Sequence, residues 1–282
     1  MKTMSSSVWE TVMKLRPIDD VFFQKLMEDR EVCEEILRVI MEDDQLVVVQ
    51  VIPQSDVKNL QGRSVRLDAL CVLGDGSSVN AEVQKDNSNL DHFRRVRYNA
   101  SCITANLTGK GDEFSDVPNV AVIYISEKDL FQKGRVIYHA RSTVEETGEQ
   151  VDDGYTSIYV NTEVKDNTKI SELMECFMQK LVENTRFPHL SARVRQFKVE
   201  EEGVSVMCNI VEAYANEKAA EARAQAHEQG FEQGLEQGHE QGLEQGLEKI
   251  AYLYVKGYIS YDLALEQVGS KELLDRLIAS QE

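Results

Sequence analysis

Residues 64–84 read SVRLDALCVLGDGSSVNAEVQ, and their alternation decides how the surrounding chain folds. Val65, Leu67, Ala69, Cys71 and Leu73 fall on one side of the first arm. Val79, Ala81 and Val83 do the same in the second, the period of two expected of half-buried strands. Between the arms, Gly74-Asp75-Gly76-Ser77-Ser78 supplies the small turn-forming residues of a hairpin. Asp68, Glu82 and Gln84 stand on the other side. With Leu73 paired to Val79, Asp68 falls opposite Gln84 and diagonal to Glu82, about 5 and 7–8 Å apart. Two carboxylates at that spacing can share one hard divalent cation, whose oxygen ligands lie about 2.1 Å from Mg²⁺. A slip of one residue would turn all three polar groups into the core, so the site depends on the register.

Outward from the hairpin, apolar spacing predicts the other elements. Residues 17–41 read as a helix with Asp19 or Asp20 as N-cap, carrying Val21, Phe22, Leu26, Val32, Ile36, Leu37 and Ile40. Residues 46–52 form a short β-branched run, a strand. A helix over residues 90–107 aligns Phe93, Val96, Ala100, Ile103 and Leu107, with Arg94, Arg97, Tyr98 and Ser101 on another face. The nearly continuous apolar run NVAVIYIS (119–126) has the composition of a buried central strand. Strands near 136–143 and 155–160 follow, then helices over 170–183 and around Arg193.

The last third has a different character. From Val204 to Lys249 the residues favour helix except for a four-residue repeat, HEQG, FEQG, LEQG, HEQG, LEQG, LEKI, which places glycine at 230, 234, 238, 242 and 246. Each glycine costs a helix about 1 kcal/mol relative to alanine. A period of 4.0 against 3.6 winds the glycines into a ridge that a partner backbone can approach, as small-residue seams do elsewhere; the competing reading is a flexible acidic spacer. Two short helices follow, with Ser260 and Ser270 as N-caps. The expected division is 1–199, 200–249 for the repeat helix, and 250–282 for a helical hairpin.

Composition sets the limits. The chain has 282 residues, 42% of them hydrophobic, enough for a sizeable core. It has no apolar run near the ~20 residues of a membrane span, and MKTMSSSVWETVMKL makes a poor secretory signal. Five widely spaced cysteines with no CxxC pair argue against structural zinc or a disulfide framework, and for a reducing cytoplasm. The formal charge of −18 counts against nucleic acid at first sight. Most of the excess, however, lies beyond residue 200, whereas Arg63, Arg66, Lys85, Arg94, Arg95 and Arg97 cluster around the hairpin. Gly109-Lys110-Gly111 lacks phosphate-loop spacing, and His92, His139 and His189 lack metal-ligand spacing.

Phosphodiester hydrolysis needs a metal held by carboxylates, an oriented water and cations near the scissile phosphate. Asp68 and Glu82 suit the first role, with the Val83 carbonyl completing the shell. The Gln84 amide suits positioning, and Arg94 or Arg97 suits bidentate contact with phosphate, with Arg66 nearby. Tyr98 either reaches the phosphate or packs its helix on the sheet. The competing reading makes Asp68 and Glu82 solvated strand carboxylates balanced by Arg66 and Lys85.

The segments PIDDVFFQKLMEDREVCEEIL, RLDALCVLGDGSSVNAEVQKD, DHFRRVRYNASCI and VAVIYIS, with the Gly-punctuated tail, resemble the Rpn family of recombination-promoting nucleases in the PD-(D/E)XK superfamily. The resemblance covers most of the chain. It implies an α/β fold, a mixed sheet flanked by helices with a helical C-terminal extension, and Mg²⁺- or Mn²⁺-dependent DNA endonuclease activity serving recombination or transposition. By motif position Asp68 and Glu82 are then the metal ligands, and Gln84 stands where the motif usually has lysine. Glu31, Glu34 or Glu35 would supply an additional acid. Both an active homo-oligomeric nuclease joined through its tail and an inactive nuclease-like module for nucleic-acid binding or assembly stay open.

Overall fold

The computed structural model describes residues 6–58, 64–85 and 91–281, without the side chains of residues 6, 53–58, 64–66 and 225. It divides into two units, Met1–Tyr214 and Ala215–Glu282. In the first, β1 (Val48–Lys58), β2 (Ser64–Leu73), β3 (Ser78–Gln84), β4 (Val120–Ser126), β5 (Ile137–Ala140) and β6 (Tyr155–Asn161) form a mixed sheet in the order β1-β2-β3-β4-β6-β5. The first three strands run antiparallel, β4 runs parallel to β3 and β6, and β5 closes the edge antiparallel to β6. This is the α/β architecture expected, a mixed sheet flanked by helices.

Apolar side chains cover both faces. On one, Ala69, Cys71, Val79, Ala81 and Val83 pack with α1 (Ser6–Lys14), α2 (Asp20–Met27), α3 (Arg30–Ile40), α5 (Lys169–Phe177) and α6 (Pro188–Val199). Each fully buried Phe or Leu there, Phe22, Phe23, Leu26 and Leu37 among them, contributes about 1.5–3 kcal/mol. On the other face, α4 (His92–Leu107) lays Val96, Ala100 and Ile103 on Leu67, Leu70, Val122, Tyr124 and Tyr159. Leu67, expected on one side with Ala69 and Cys71, lies instead with Leu70 in the second core, so the alternation of β2 breaks before Ala69. The hairpin's other side is the floor of that second core, not a solvated surface.

Residues 17–41 form two helices where one continuous helix was expected. The first ends at its C-cap Glu28, and Asp29 starts the second, its carboxylate accepting the Glu31 and Val32 N–H groups. An aspartate gains more from capping orphan amides than from a helix interior. Buried Lys198 of α6 donates to the Val12 and Leu15 carbonyls and so caps the C-terminal end of α1. Gly203 is required by a close crossing, since a Cβ there would lie 2.1 Å from the Gln196 carbonyl oxygen.

From Glu201 the chain is helical to Val255 (α7) despite the tetrad glycines, and Val204, Met207, Cys208 and Val211 still belong to the first core. In the second unit, α8 (Tyr261–Val268) and α9 (Lys271–Ala279) are capped by Ser260 and Ser270, whose hydroxyls accept the Leu263 and Leu273 N–H groups. Ala251, Ala264 and Leu274 are its buried centre. Among the described residues no helix is long and apolar enough to cross a membrane.

Candidate active site

The hairpin register differs by two residues from the expected one: Cys71, not Leu73, pairs with Val79. Gly76 adopts φ +86°, and the Leu73 N–H reaches the Ser77 carbonyl at 2.9 Å, so the turn is tighter than five residues. The ladder then runs Cys71↔Val79, Leu70↔Asn80 and Ala69↔Ala81, where it ends, which leaves Asp68 beside Glu82 and Val83 rather than opposite Gln84.

At that step the side chains take over from the ladder. The Val83 N–H donates to Asp68 Oδ2 at 3.1 Å, and the Asp68 N–H donates to Glu82 Oε1 at 3.4 Å. Gln24 Nε2 of α2 donates to Asp68 Oδ1 at 2.9 Å, and Asn80 Nδ2 donates to Glu82 Oε1 at 3.0 Å. From α4, Arg95 bridges Glu82 Oε2 at 3.2 Å and Gln84 Oε1 at 3.0 Å. Every oxygen of the two carboxylates thus faces an N–H donor, which is what a charge removed from water requires.

Exposure is 6% for Asp68 and 0% for Glu82, which excludes the solvated-carboxylate reading. Burial, and then the charges of Glu82 and Asp20, push Asp68 up to about 8 against the pull of the Gln24 and Val83 hydrogen bonds. Burial also raises Glu82, although Arg95 and Asn80 oppose it. For Arg95 itself burial works downward, but Glu82, Tyr124 and Asp68 together raise it. Among the described residues, one guanidinium, that of Arg95 on Glu82, faces two buried acids, which are short of positive charge. Tyr124, paired with Glu82 across the parallel β3/β4 ladder, is raised mainly by burial, and its hydroxyl lies 2.7 Å from His92 Nδ1.

The donor set suits a hard divalent cation: it is oxygen only, and a double positive charge would relieve the conflict between the two acids. No group of three or more His, Cys, Asp or Glu side chains able to hold a metal occurs among the described residues. Mg²⁺ usually keeps several waters and is held by one or two carboxylates, a number that this pair supplies.

Other candidate residues lie elsewhere. Arg94 pairs with Asp91 at 3.5 Å. Exposed Arg97 lines a separate groove with Ser101, Thr104 and Phe114. Tyr98 packs partly buried on the second core. Lys85 turns to Asp19 at 2.7 Å. The Val83 side chain belongs to the first core. The Arg66 side chain and Arg63 lie outside what is described. The α3 glutamates are engaged elsewhere: Glu31 meets His189, Glu34 takes Arg38 and the Val48 N–H, and Glu35 caps α6 through His189 and Leu190.

Gln24, Asn80, Arg95 and Tyr124 were not among the sequence candidates. Gln24 had a signal, a lone amide inside the apolar run VFFQKLM. Arg95 had none that separates it from Arg94 and Arg97, because a 100° rotation of one helix decides which arginine points inward.

A family model described as PD-(D/E)XK nuclease family transposase matches residues 17–229. No curated protein and no solved structure matches the chain.

Proposed function

Because the chain belongs to the PD-(D/E)XK nuclease family transposases, we propose that it is a metal-dependent DNA endonuclease in which Asp68 and Glu82 hold Mg²⁺ or Mn²⁺. The observation that carries this reading is the convergence of two buried carboxylates at the open end of the β2–β3 ladder. A cation bound there would supply a more acidic water and offset charge on the phosphate. Asp68, raised by burial, holds a proton near neutral pH and releases it as the pH rises. Gln84 occupies the position of the motif lysine, and its amide oxygen is tied to Arg95. The positive charge expected from that lysine thus comes from α4 instead. Arg95 is 48% exposed, so its guanidinium also reaches phosphate oxygens of a docked strand. The five free cysteines are all buried, which suits work in a reducing cytoplasm.

The test is cleavage of supercoiled plasmid with Mg²⁺ by the wild type and by Asp68→Asn and Glu82→Gln. Amides are the right replacements here, because alanine would leave holes beneath α4. Each should lose at least ~10²–10³-fold in rate, the size of one preorganised electrostatic contact, while calorimetry shows weakened Mn²⁺ binding. Wild-type rates in both variants would end the catalytic reading.

The replacement of the motif lysine by Gln84 also supports a second reading, an inactive nuclease-like module for nucleic-acid binding or assembly. A wild type that binds DNA yet leaves plasmid intact across metals and pH would select it. We further propose that the chain forms a homo-oligomer through α7.

A further inference from the structure

Across the sheet, Glu82, Tyr124, Tyr159 and Tyr138 stand in one row on β3, β4, β6 and β5. Strands lie about 4.8 Å apart, so the row carries aromatic surface from the carboxylate pair to a point roughly 10 Å away at Tyr159. Tyr124 and Tyr159 are buried and form its floor. Above them Phe93, from the first turn of α4, packs on Tyr159 and Phe131 with ring centroids 5.3 Å from each. Phe131 in turn lies 4.6 Å from Tyr138. Yet Phe93 remains 45% exposed, on the β6 side of α4, while Arg95 two residues on turns to Glu82 of β3.

The loop that presents Phe131 is organised in advance. Asp129 accepts the N–H groups of Phe131, Lys133 and Gly134 and the Tyr138 hydroxyl, at 2.7–3.0 Å. Lys133 and Arg135 follow Phe131 in this loop, both exposed. Nearby acids are already engaged, Glu163 by Lys128 and the Asp129 N–H, and Glu127 by Arg16. One exposed aromatic ring, Phe93, backed by the half-buried Phe131 on a rigid support, with cations beside them, supplies the components of a surface that stacks a base and tracks a phosphate backbone.

We propose that Phe93 and Phe131 form a stacking platform for an unpaired base of the DNA strand whose phosphate meets Arg95, so that flaps, frayed ends and single strands are preferred to continuous duplex. This rests on the nuclease reading and adds its substrate class. Bases inside a duplex have both faces covered by their neighbours, and leaving the stack costs a few kcal/mol that unpaired nucleotides avoid.

Binding separates the two readings because it needs no turnover. In EDTA, the full-length protein is titrated by fluorescence anisotropy with a single-stranded 12-mer and with the matching duplex. A second 12-mer carries 2-aminopurine, whose emission is quenched when the base stacks. The single strand should bind more tightly and be quenched. Phe93→Leu should weaken its binding about tenfold, within the range of one lost stacked base, and abolish the quench with duplex affinity unchanged. Phe93→Tyr should restore both. Equal affinity for single strand and duplex, no binding of either, or an undiminished quench in Phe93→Leu would overturn the platform. If plasmid cleavage still requires Asp68 in that event, the nuclease reading survives; quenching by a protein that never cleaves would leave the platform without the nuclease.

Discussion

The β2–β3 hairpin and the C-terminal tetrads carry the two most regular patterns in the chain, with periods of two and four, and the fold treats them in opposite ways. In the hairpin both faces are buried, and the polar side chains of the pair end on named partners within the same unit. In the tetrads a Cβ added at Gly230, Gly234, Gly238, Gly242 or Gly246 would meet nothing within 4 Å, and Phe231 and Leu235 stand 66% and 62% exposed. A pattern satisfied inside the chain explains a local site. A pattern that nothing inside the chain covers is either a solvated spacer or, as proposed above, a seat for a second copy.

The largest expected effect is on the hairpin side. Asp68 is raised from the ordinary carboxylate range to about 8, so folding favours its protonated form. Its contribution is fully present below about pH 4 and is lost as the pH rises through 8, with a slope of at most about 1.4 kcal/mol per pH unit. Metal-free protein should therefore lose stability from pH 5 to 8, several kcal/mol in all, as read by urea unfolding. Glu82, also raised, adds to the same trend. Asp68→Asn should flatten the slope, and Mn²⁺ should stabilise the wild type more at pH 8 than at pH 5, because cation and proton compete for one site. A pH-independent wild type would mean that the two acids are better compensated than their neighbours indicate.

The comparison also separates what the sequence makes legible from what it does not. Alternation brought Asp68, Glu82 and Gln84 into one neighbourhood, although it breaks between Leu67 and Ala69, which lie in different cores, and the order of periodic segments anticipated the mixed sheet and its helices. The register did not follow, because alternation is unchanged by a shift of two; the observed one goes with a tight turn in which Gly76 is left-handed. Nor did burial follow. Period two marks two unlike faces, but whether the polar one meets water depends on α4, which arrives from a segment distant in sequence. For the same reason Arg95 and Gln24 were hidden, since their contacts are set by how helices rotate and dock.

A middle-sized effect tests how tightly the hairpin's polar network is closed. Gln24→Ala removes one of two donors that hold the Asp68 carboxylate, leaving a buried charge under-compensated. It should cost about 1–3 kcal/mol, more at pH 8, where Asp68 is ionised, than at pH 5. Gln24→Glu should be worse at pH 8 because it adds a third acid to the pair. Should Gln24→Ala be neutral at both pH values, the amide is a bystander and α2 does not help to hold the site.

The smallest effect per residue belongs to the tetrads, and its sign is what makes it informative. Replacing the five glycines by alanine should stabilise α7 by up to about 1 kcal/mol each, since no neighbour obstructs a Cβ. If the ridge only spaces the two ends of the helix, the oligomeric state should not change. If it seats a second copy, the added methyl groups hold the backbones apart, and association should fall while the helix itself gains stability. Loss of association then cannot be blamed on melting. Rows at i±4n favour helices that cross at about −50° over a short contact rather than a long left-handed coiled coil, so a few tetrads near the crossing should carry the effect. Light scattering on the full chain, on the glycine-to-alanine variant and on a chain ending at Tyr214, which keeps Val204, Met207 and Val211 in the core, reads the outcome. A full chain that scatters as a monomer would end the oligomer proposal and leave the tetrads as a solvated helix.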